Sequence, residues 1–232
     1  MQNTYSKGGL VLDMSVQKLL ETGRDIIRDK SRHMNHGMCI NETNIIQTKE
    51  GIGAGSFNGV NDYVDCGNDT NLNPTEAITV KCWAKLDVAD AGESSYIPII
   101  KRNNTFLLRR DEASSGGRFS FFIYNGTDWE PRANCSFEPI YGVWYHVVGT
   151  YDRQHVKIYV NGKLEGLSNR TDAMPSTENN VVVGVWGSNY FQGLIDEVRI
   201  YNRALSAEEV RGNMFASKRY KYMRGVQKCG VR

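Results

Sequence analysis

The chain has 232 residues, of which 40% are hydrophobic and 23% are charged, and its formal net charge is +2. These values exclude a disordered or collagen-like chain, and no apolar run reaches the roughly 18 residues that a membrane-spanning helix needs. We therefore expect one folded domain without membrane insertion, and the 23 Gly, 12 Tyr and 8 Phe residues favour short strands joined by tight turns.

The N-terminal part carries weak signals. Residues 1–8 are polar, without an apolar core or a cleavage site, so we interpret them as an extension without a secretory signal. Between Val16 and Ile27 a weak helical pattern is interrupted by Gly23, which predicts a turn with a helical piece.

Strand patterns dominate after residue 77. Residues 77–86 alternate in character and are rich in β-branched and aromatic side chains, which predicts a half-buried strand with Cys82 on its inward face. Similar runs follow at spacings of about ten residues, which is typical of a sandwich or barrel. They cover residues 96–101, 105–109, 118–124, 143–151, 155–160, 180–185 and 193–201.

Specific turns and one helix can be located. Asn161-Gly162 supplies the two positive φ values of a type I′ hairpin, and residues 152–154 join the two preceding strands into a three-stranded meander. Near the end, Ser206 is a good N-cap and Glu209 stands three residues later, which predicts a short helix.

The C-terminal residues 217–232 form a basic tail. We interpret the tail as a solvated extension, although contact with an acidic partner, a membrane surface or nucleic acid is an alternative, with nucleic acid the least favoured. Cys229 is the thiol that we expect to link chains, if any does. The cations of the tail are Lys218, Arg219, Lys221, Arg224, Lys228 and Arg232.

Several segments in order resemble one family. They are GLVLDM at 9–14, DKSRHMNHG at 29–37, GSFNGVNDYVDCG at 55–67, AITVKCWAKL at 77–86, VWYHVVGTYD at 143–152, VKIYVNGKLEG at 156–166 and GLIDEVRIYNRALSAEEV at 193–210. The chain thereby resembles the LamG-like jelly-roll family, the laminin G and pentraxin-like branch of the concanavalin A-like lectin/glucanase superfamily.

The resemblance implies an all-β fold, a two-sheet antiparallel jelly-roll sandwich with one short C-terminal helix. Each sheet would have about six or seven strands, and GLIDEVRIY would pair with GLVLDM at the other end of the domain. We expect the jelly-roll domain to cover residues 9–216, between the N-terminal extension and the basic tail.

The same superfamily contains glycoside hydrolases, which need two carboxylates at one site. Adjacent acids occur at Asp196-Glu197 and Asp111-Glu112, and neighbouring residues of a strand are expected to point to opposite faces. The Glu-x-Asp-x-Glu arrangement of the family's glucanases is missing, as are the Gly-x-Ser-x-Gly and His-Glu-x-x-His motifs. We therefore expect no catalytic residue and no enzyme.

The resemblance also implies one Ca²⁺ ion, at Asp13, Asn35, His36 and Asp196. Asp196 would supply a carboxylate, Asn35 and His36 would supply backbone oxygens, and Asp13 could do either. The alternative is that Asp196 forms a cap or a salt bridge at a sheet edge.

Sugar binding in such folds uses an aromatic surface beside a few polar groups. The candidates are Trp129, in NGTDWEPR, and Trp186, Asn189 and Tyr190, in WGSNY. The alternative is that these aromatic side chains pack over the sheet.

Glycosylation sequons are more numerous than the two or three expected by chance for this composition. Their use would place the protein outside the cell, on a cell surface or on a virion. The sequons are at Asn41, Asn68, Asn103, Asn125, Asn134 and Asn169.

Two functions remain open. The first is an extracellular or surface-displayed recognition module that binds a glycan or a protein partner at its loop edge, with or without Ca²⁺. The second is a structural component of a virion or filament surface, which forms a homo-oligomer or contacts a neighbour through its basic tail. We favour the recognition module, because domains of this family usually occur in larger extracellular proteins.

Overall fold

The computed structural model describes residues 8–21, 24–41, 43–47, 53–87 and 96–229. Within these ranges the strands are β1 (Leu10–Glu21), β2 (Arg24–Asp29), β3 (Gly37–Ile40), β4 (Asn44–Gln47), β5 (Gly53–Asn58), β6 (Tyr63–Asp65), β7 (Ile78–Leu86), β8 (Ile97–Arg102), β9 (Phe106–Arg110), β10 (Phe119–Ile123), β11 (Ala133–Asn134), β12 (Trp144–Tyr151), β13 (His155–Val160), β14 (Lys163–Asn169), β15 (Val181–Val183), β16 (Val185–Trp186), β17 (Asn189–Tyr190) and β18 (Gln192–Tyr201). The helices are α1 (Ala207–Ala216) and α2 (Lys218–Cys229). None of the helices in the described part is long and apolar enough to cross a membrane.

The strands form an antiparallel sandwich, as predicted. Pairing runs in the order β11-β10-β9-β8-β15-β6-β3-β2-β1-β18-β7-β12-β13-β14, with β5 beside β18 and β4 beside β5. We call β3, β6, β15 and β8–β11 the front sheet, and β18, β7 and β12–β14 the back sheet. Strand β1 connects them, because residues 10–14 pair with β18, whereas Met14 and residues 18–21 pair with β2.

The hydrophobic core lies between the two sheets. In β7, alternate residues from Ile78 to Leu86 enter the core, including Cys82, whose predicted inward position is confirmed. Gly149 in β12 faces Phe121 in β10, and a Cβ at Gly149 would overlap the ring. The absence of a side chain at Gly149 therefore lets the two sheets approach each other.

The two ends of the domain are joined as the sequence predicts. Leu10 of β1 lies opposite Tyr201 of β18, and Met14 lies opposite Val198. The helical piece predicted between residues 16 and 27 is wrong, because residues 16–21 and 24–27 lie in the paired strands β1 and β2. Backbone pairing with neighbouring strands overrides a weak helical pattern there.

The predicted turns and helix start are also present. Asn161 and Gly162 have φ values of 51° and 78°, so the β13–β14 hairpin has the expected backbone, and β12–β14 form the meander. Helix α1 begins with the capping box formed by Ser206 and Glu209.

The predicted solvated tail is wrong for its first part. Residues 218–229 form the second helix, α2, and Arg219 is 1% exposed against the back sheet. Both C-terminal helices lie over the outer face of this sheet, where Val210 joins a small apolar cluster with Val148 and Tyr201. The back sheet is therefore covered on both faces.

Candidate functional site

The outer face of the front sheet carries an arginine surrounded by aromatic rings. Strand alternation directs Arg109 of β9 and Phe122 of β10 away from the core. The guanidinium carbon of Arg109 lies 3.9 Å from the ring centre of Tyr96, 4.5 Å from that of Phe122 and 4.8 Å from that of Trp186. These distances are those of cation–π contacts.

A buried carboxylate fixes the position of this arginine. Asp111 is fully buried, and its Oδ1 accepts a hydrogen bond of 2.7 Å from Arg109 Nε. Its Oδ2 accepts a hydrogen bond of 2.5 Å from Ser120 Oγ and lies 3.5 Å from Arg132 Nε. We call Tyr96, Arg109, Asp111, Phe122 and Trp186 the Arg109 cluster. The cluster is rigid, because its charges are paired and its arginine is packed between rings.

Three of the four predicted ligand residues lie together, and one of them, Trp186, belongs to this cluster. Trp186 and Asn189 pair across the β16–β17 hairpin, which also carries Tyr190. The rings of Trp186 and Tyr96 are in edge contact, with their centres 5.4 Å apart. The side chains of Tyr96, Trp186, Asn189 and Tyr190 are half-buried, so part of each remains accessible. The aromatic surface is therefore presented to solvent rather than packed away inside the protein.

The fourth predicted residue, Trp129, lies in the loop after β10, apart from the other three. Its ring centre stands 4.9 Å from that of Tyr124, which directly follows β10. Trp129 is half-buried, so it forms a second, separate aromatic pair with Tyr124.

The sequence reasoning missed Tyr96, Arg109, Asp111 and Arg132. A signal was present in the sequence, because the apolar residues 106–108 of a predicted strand are followed directly by Arg109, Arg110 and Asp111. Arginine is rarely buried without a partner, so two adjacent arginines in such a strand indicate a paired acid or a functional surface.

A comparison with known families agrees with this architecture. The profile of the Laminin_G_3 family, described as concanavalin A-like lectin/glucanases superfamily, matches residues 58–211. The chain belongs to this family. No curated protein matches the chain in sequence.

Solved jelly-roll domains share this Laminin_G_3 fold. Domain 4 of the extracellular arabinanase AbnA from Geobacillus stearothermophilus, solved with arabinotriose, is 17% identical, with a TM-score of 0.67 over 89% of this chain and 98% of that domain. The binding domain of Paraclostridial Mosquitocidal Protein 1 is 14% identical, with a TM-score of 0.69 over 88% of this chain and 51% of that one.

A third similar structure comes from botulinum neurotoxin type C, whose cell entry is described as dependent on two ganglioside molecules. It is 14% identical, with a TM-score of 0.66 over 90% of this chain and 52% of that chain. Our chain thus spans about half the length of the toxin chains that it matches. Identities at this level show the shared fold.

The two carboxylates predicted to bind Ca²⁺ are each paired with an arginine. Asp13 Oδ1 accepts a hydrogen bond of 2.8 Å from Arg199, and Asp196 Oδ2 accepts one of 2.9 Å from Arg219. The described residues contain no group of three or more His, Cys, Asp or Glu side chains that could hold a metal ion. Because both carboxylates are neutralised by arginine, the residues do not fit the hard-cation site that the resemblance implies.

The loop that contains Asn35 and His36 is organised by a different acid. The carboxylate of Asp29 accepts hydrogen bonds from the backbone N–H groups of Asp13, Ser31 and Asn35, each at 2.8 Å, and from the hydroxyl of Ser31 at 2.7 Å. The side-chain amide of Asn35 donates to the carbonyl of Val11 at 3.0 Å. Through these hydrogen bonds, Asp29 closes the loop that contains Asn35 and His36.

The expectation that adjacent acids point to opposite faces is wrong for Asp196 and Glu197. A register shift in β18 falls between Asp196 and Arg199, and Glu197 has a φ of 48°. Asp196 contacts Arg219 on the outer face, and Glu197 Oε2 lies 3.8 Å from Arg199, which pairs with Asp13 on that face. The bulge breaks the period of two, so both carboxylates lie on the outer side.

The same expectation is wrong for Asp111 and Glu112. Strand β9 ends at Arg110, so alternation no longer applies to the acids that follow it. Asp111 pairs with Arg109, and Glu112 Oε1 accepts a hydrogen bond of 3.2 Å from the hydroxyl of Tyr96. Asp111 therefore belongs to the Arg109 cluster, and Glu112 contacts it.

The outer face of the back sheet holds a second arginine contact. Arg219 of α2 pairs with Asp196, and its guanidinium carbon lies 3.8 Å from the ring centre of Trp144. We call Trp144, Asp196 and Arg219 the Arg219 cluster. Burial raises the pKa of the Asp196 carboxyl above its usual value, although Arg219 acts in the opposite direction.

Several polar groups are buried near this cluster. Lys81 Nζ, Trp83 Nε1 and both ring nitrogens of His146 have no hydrogen-bond partner among the described residues. Burial lowers the pKa of Lys81 to about 8. Burial, together with the positive charges of Lys81 and Arg199, lowers the pKa of His146 well below its usual value.

The predicted glycosylation sites differ in accessibility. Asn41, Asn68, Asn103 and Asn169 are exposed, whereas Asn125 and Asn134 are half-buried. Glycan attachment at any of the six remains a prediction. The linking role predicted for Cys229 also remains a prediction, whereas Cys39, Cys66, Cys82 and Cys135 are buried.

Proposed function

We propose that the chain is a non-catalytic binding module that holds a carbohydrate on the outer face of the front sheet. The observation that carries the proposal is the accessible pair of rings, Tyr96 and Trp186, held around the buried Arg109–Asp111 pair. Sugar rings stack on aromatic faces, and Asn189 supplies a hydrogen-bond donor for hydroxyl groups.

The relatives support a glycan as the ligand. The arabinanase domain was solved with arabinotriose, and the neurotoxin work concerns gangliosides, so two jelly-roll domains of this fold occur in glycan-binding proteins. A protein partner at the same surface is the second outcome that the experiment below distinguishes.

A glycan array probed with the full chain tests the proposal. Isothermal titration of the best ligand then compares the wild-type protein with Trp186→Ala. Because stacking on an aromatic ring is worth about 1–3 kcal/mol, we expect Trp186→Ala to weaken binding roughly tenfold or more.

The matched control is Phe215→Ala, which removes an aromatic side chain that is 49% exposed on α1. This variant should bind like the wild-type protein. A ligand that binds Trp186→Ala and wild type equally well, or an array without any bound glycan, contradicts the proposal.

The absence of catalysis is part of the proposal. At the Arg109 cluster the Asp111 carboxylate already has partners at both oxygens, so it is not free to act as a nucleophile or a proton donor. Incubation of the bound glycan with the protein, followed by mass spectrometry, should show an uncleaved ligand. Release of shorter saccharides would show an enzyme instead.

We also propose an extracellular or surface location, which the exposed sequons support. The intact mass of protein isolated from its source, before and after enzymatic removal of N-glycans, tests this proposal. A loss of mass on treatment supports the location. A mass equal to that of the unmodified chain would show that the sequons carry no glycan, and they would then give no support to this location.

The assembly component remains the alternative prediction. Light scattering on the full chain after size-exclusion chromatography tests it: a defined oligomer favours the assembly component, whereas a monomer favours the recognition module.

A further inference from the structure

A cleft opens at the loop between β2 and β3, away from both arginine clusters. It has a volume of about 460 Å³ and is lined by Arg28, Lys30, Arg32, Met34 and His36, with Asp29 and Ser31 beneath. This volume lies within the range of small-ligand sites.

Three cations project into the cleft from one side of the chain. Arg28, Lys30 and Arg32 are exposed and follow each other at intervals of two, whereas Asp29 and Ser31 between them are buried. Across the described residues, no carboxylate forms a salt bridge with any of the three. Their charges are therefore available to a ligand.

The acid in the cleft does not cancel this positive charge. Asp29 is 2% exposed, and four donors, three of them backbone N–H groups, occupy its two oxygens. Its negative charge is therefore stabilised by these four donors inside the protein. The same hydrogen bonds fix the backbone of the loop that carries the three cations, which lowers the entropy that ligand binding costs.

His36 adds a neutral hydrogen-bond donor. Its Nδ1 accepts a hydrogen bond of 3.2 Å from the backbone N–H of Asp29. In the neutral ring, the proton is then on Nε2, which can donate to a ligand because the side chain is exposed. Two guanidinium groups, one ammonium and one imidazole N–H therefore line the same space.

We infer that this cleft is a binding site for a sulfate or phosphate group, either free or carried on a small molecule such as a sugar. Guanidinium groups match the geometry of such oxyanions with two parallel hydrogen bonds, and the ammonium adds a point charge. Met34, 68% exposed, offers an apolar surface for the carrier of the group. The inference does not rest on the Arg109 cluster, whose residues do not line the cleft.

Nuclear magnetic resonance titration of the full chain tests the inference. The probes are inorganic phosphate, inorganic sulfate, a sulfated disaccharide and the same disaccharide without sulfate. We expect the charged probes to shift the amide signals of residues 28–36 in a saturable way, and the uncharged disaccharide to leave them unchanged. Saturation by the inorganic ions identifies a free-anion site, whereas saturation only by the sulfated sugar identifies a carried group.

The variant Arg28→Gln/Arg32→Gln should weaken binding of the charged probes about tenfold or more, because it removes two charge-assisted contacts. Both residues are exposed, so the fold should be kept. The matched control is Arg211→Gln/Lys218→Gln, which removes the same charge from exposed positions on the C-terminal helices.

Equal weakening by the control variant would overturn the inference, because binding would then follow total charge. Absence of saturable shifts, or binding only to vesicles that contain anionic lipid, would also overturn it. Trp186→Ala should bind the charged probes normally, which separates this site from the proposed carbohydrate surface.

Discussion

Two arginines in this molecule have almost the same surroundings and opposite consequences. Arg109 pairs with buried Asp111 and lies 3.9 Å from the ring of Tyr96, whereas Arg219 pairs with buried Asp196 and lies 3.8 Å from the ring of Trp144. Each combines a buried ion pair with a cation–π contact.

The difference lies in where the arginine comes from. Arg109 belongs to a strand of the sheet, and two of its aromatic neighbours, Tyr96 and Trp186, remain only half-buried. Arg219 reaches the back sheet from α2 and closes over Trp144. The same chemistry therefore serves as an open surface in one place and as the attachment of a helix in the other.

The largest expected effect comes from removing the two aspartates. Asp111→Ala and Asp196→Ala each leave a buried arginine without its partner, so each should lower the free energy of unfolding by about 3–5 kcal/mol. Urea denaturation measures both losses. Only Asp111→Ala should also abolish glycan binding, as judged under conditions where both variants are folded.

The control for both is Glu208→Ala, which removes the exposed partner of Arg211 and should leave the urea midpoint unchanged. If Asp196→Ala proved as stable as this control, Arg219 would not attach the helix to the sheet.

The folding stability should depend on pH through His146, which lies in β12 of the back sheet. The pKa of His146 is lowered well below 6.5 in the folded protein, so below pH 6.5 the unfolded chain binds a proton that the folded one does not. Stability should therefore fall as pH decreases from 6.5, by up to about 1.4 kcal/mol per pH unit. His146→Gln should lose this part of the dependence in urea titrations between pH 7 and 5.

His155→Gln, at a partly exposed position beside Asp152, is the matched control and should keep the slope. Equal slopes for the His146 variant and the wild-type protein would show that His146 does not couple acid to unfolding.

The two tryptophans should separate stability from binding. Trp144→Ala removes the ring under Arg219 and should cost about 2 kcal/mol, with binding unchanged. Trp186→Ala should cost less than about 1 kcal/mol and weaken glycan binding roughly tenfold or more, because its half-buried ring faces the ligand. Thermal unfolding and titration of each variant measure the two effects, and a reversed pattern would reverse the roles of the two clusters.

The smallest effect concerns the rigidity of the Arg109 cluster. Ser120→Ala removes the 2.5 Å hydrogen bond to Asp111 and should cost about 1 kcal/mol of stability. We expect a loss of affinity of a few-fold, since the guanidinium would be less firmly held. Unchanged affinity would show that Asp111 needs only its arginine partners.

Local chemistry determined much of this protein from the sequence alone. Asn161-Gly162 adopts the predicted turn because few residue pairs accept two positive φ values, and Ser206 starts α1 because its side chain satisfies a backbone N–H group. The inward position of Cys82 follows from strand alternation. Each of these features depends on neighbours within a few residues.

Only the tertiary structure decided the rest. The bulge that places Asp196 and Glu197 on one face comes from the pairing of β18 with β7, and the Arg109 cluster joins residues 96, 109, 122 and 186 from separate parts of the chain. Arg219 lies in a basic segment that looks solvated in the sequence, yet it is buried because it contacts Asp196 of β18 and Trp144 of β12. Such contacts depend on which surfaces the folded chain brings together, and no local pattern specifies them.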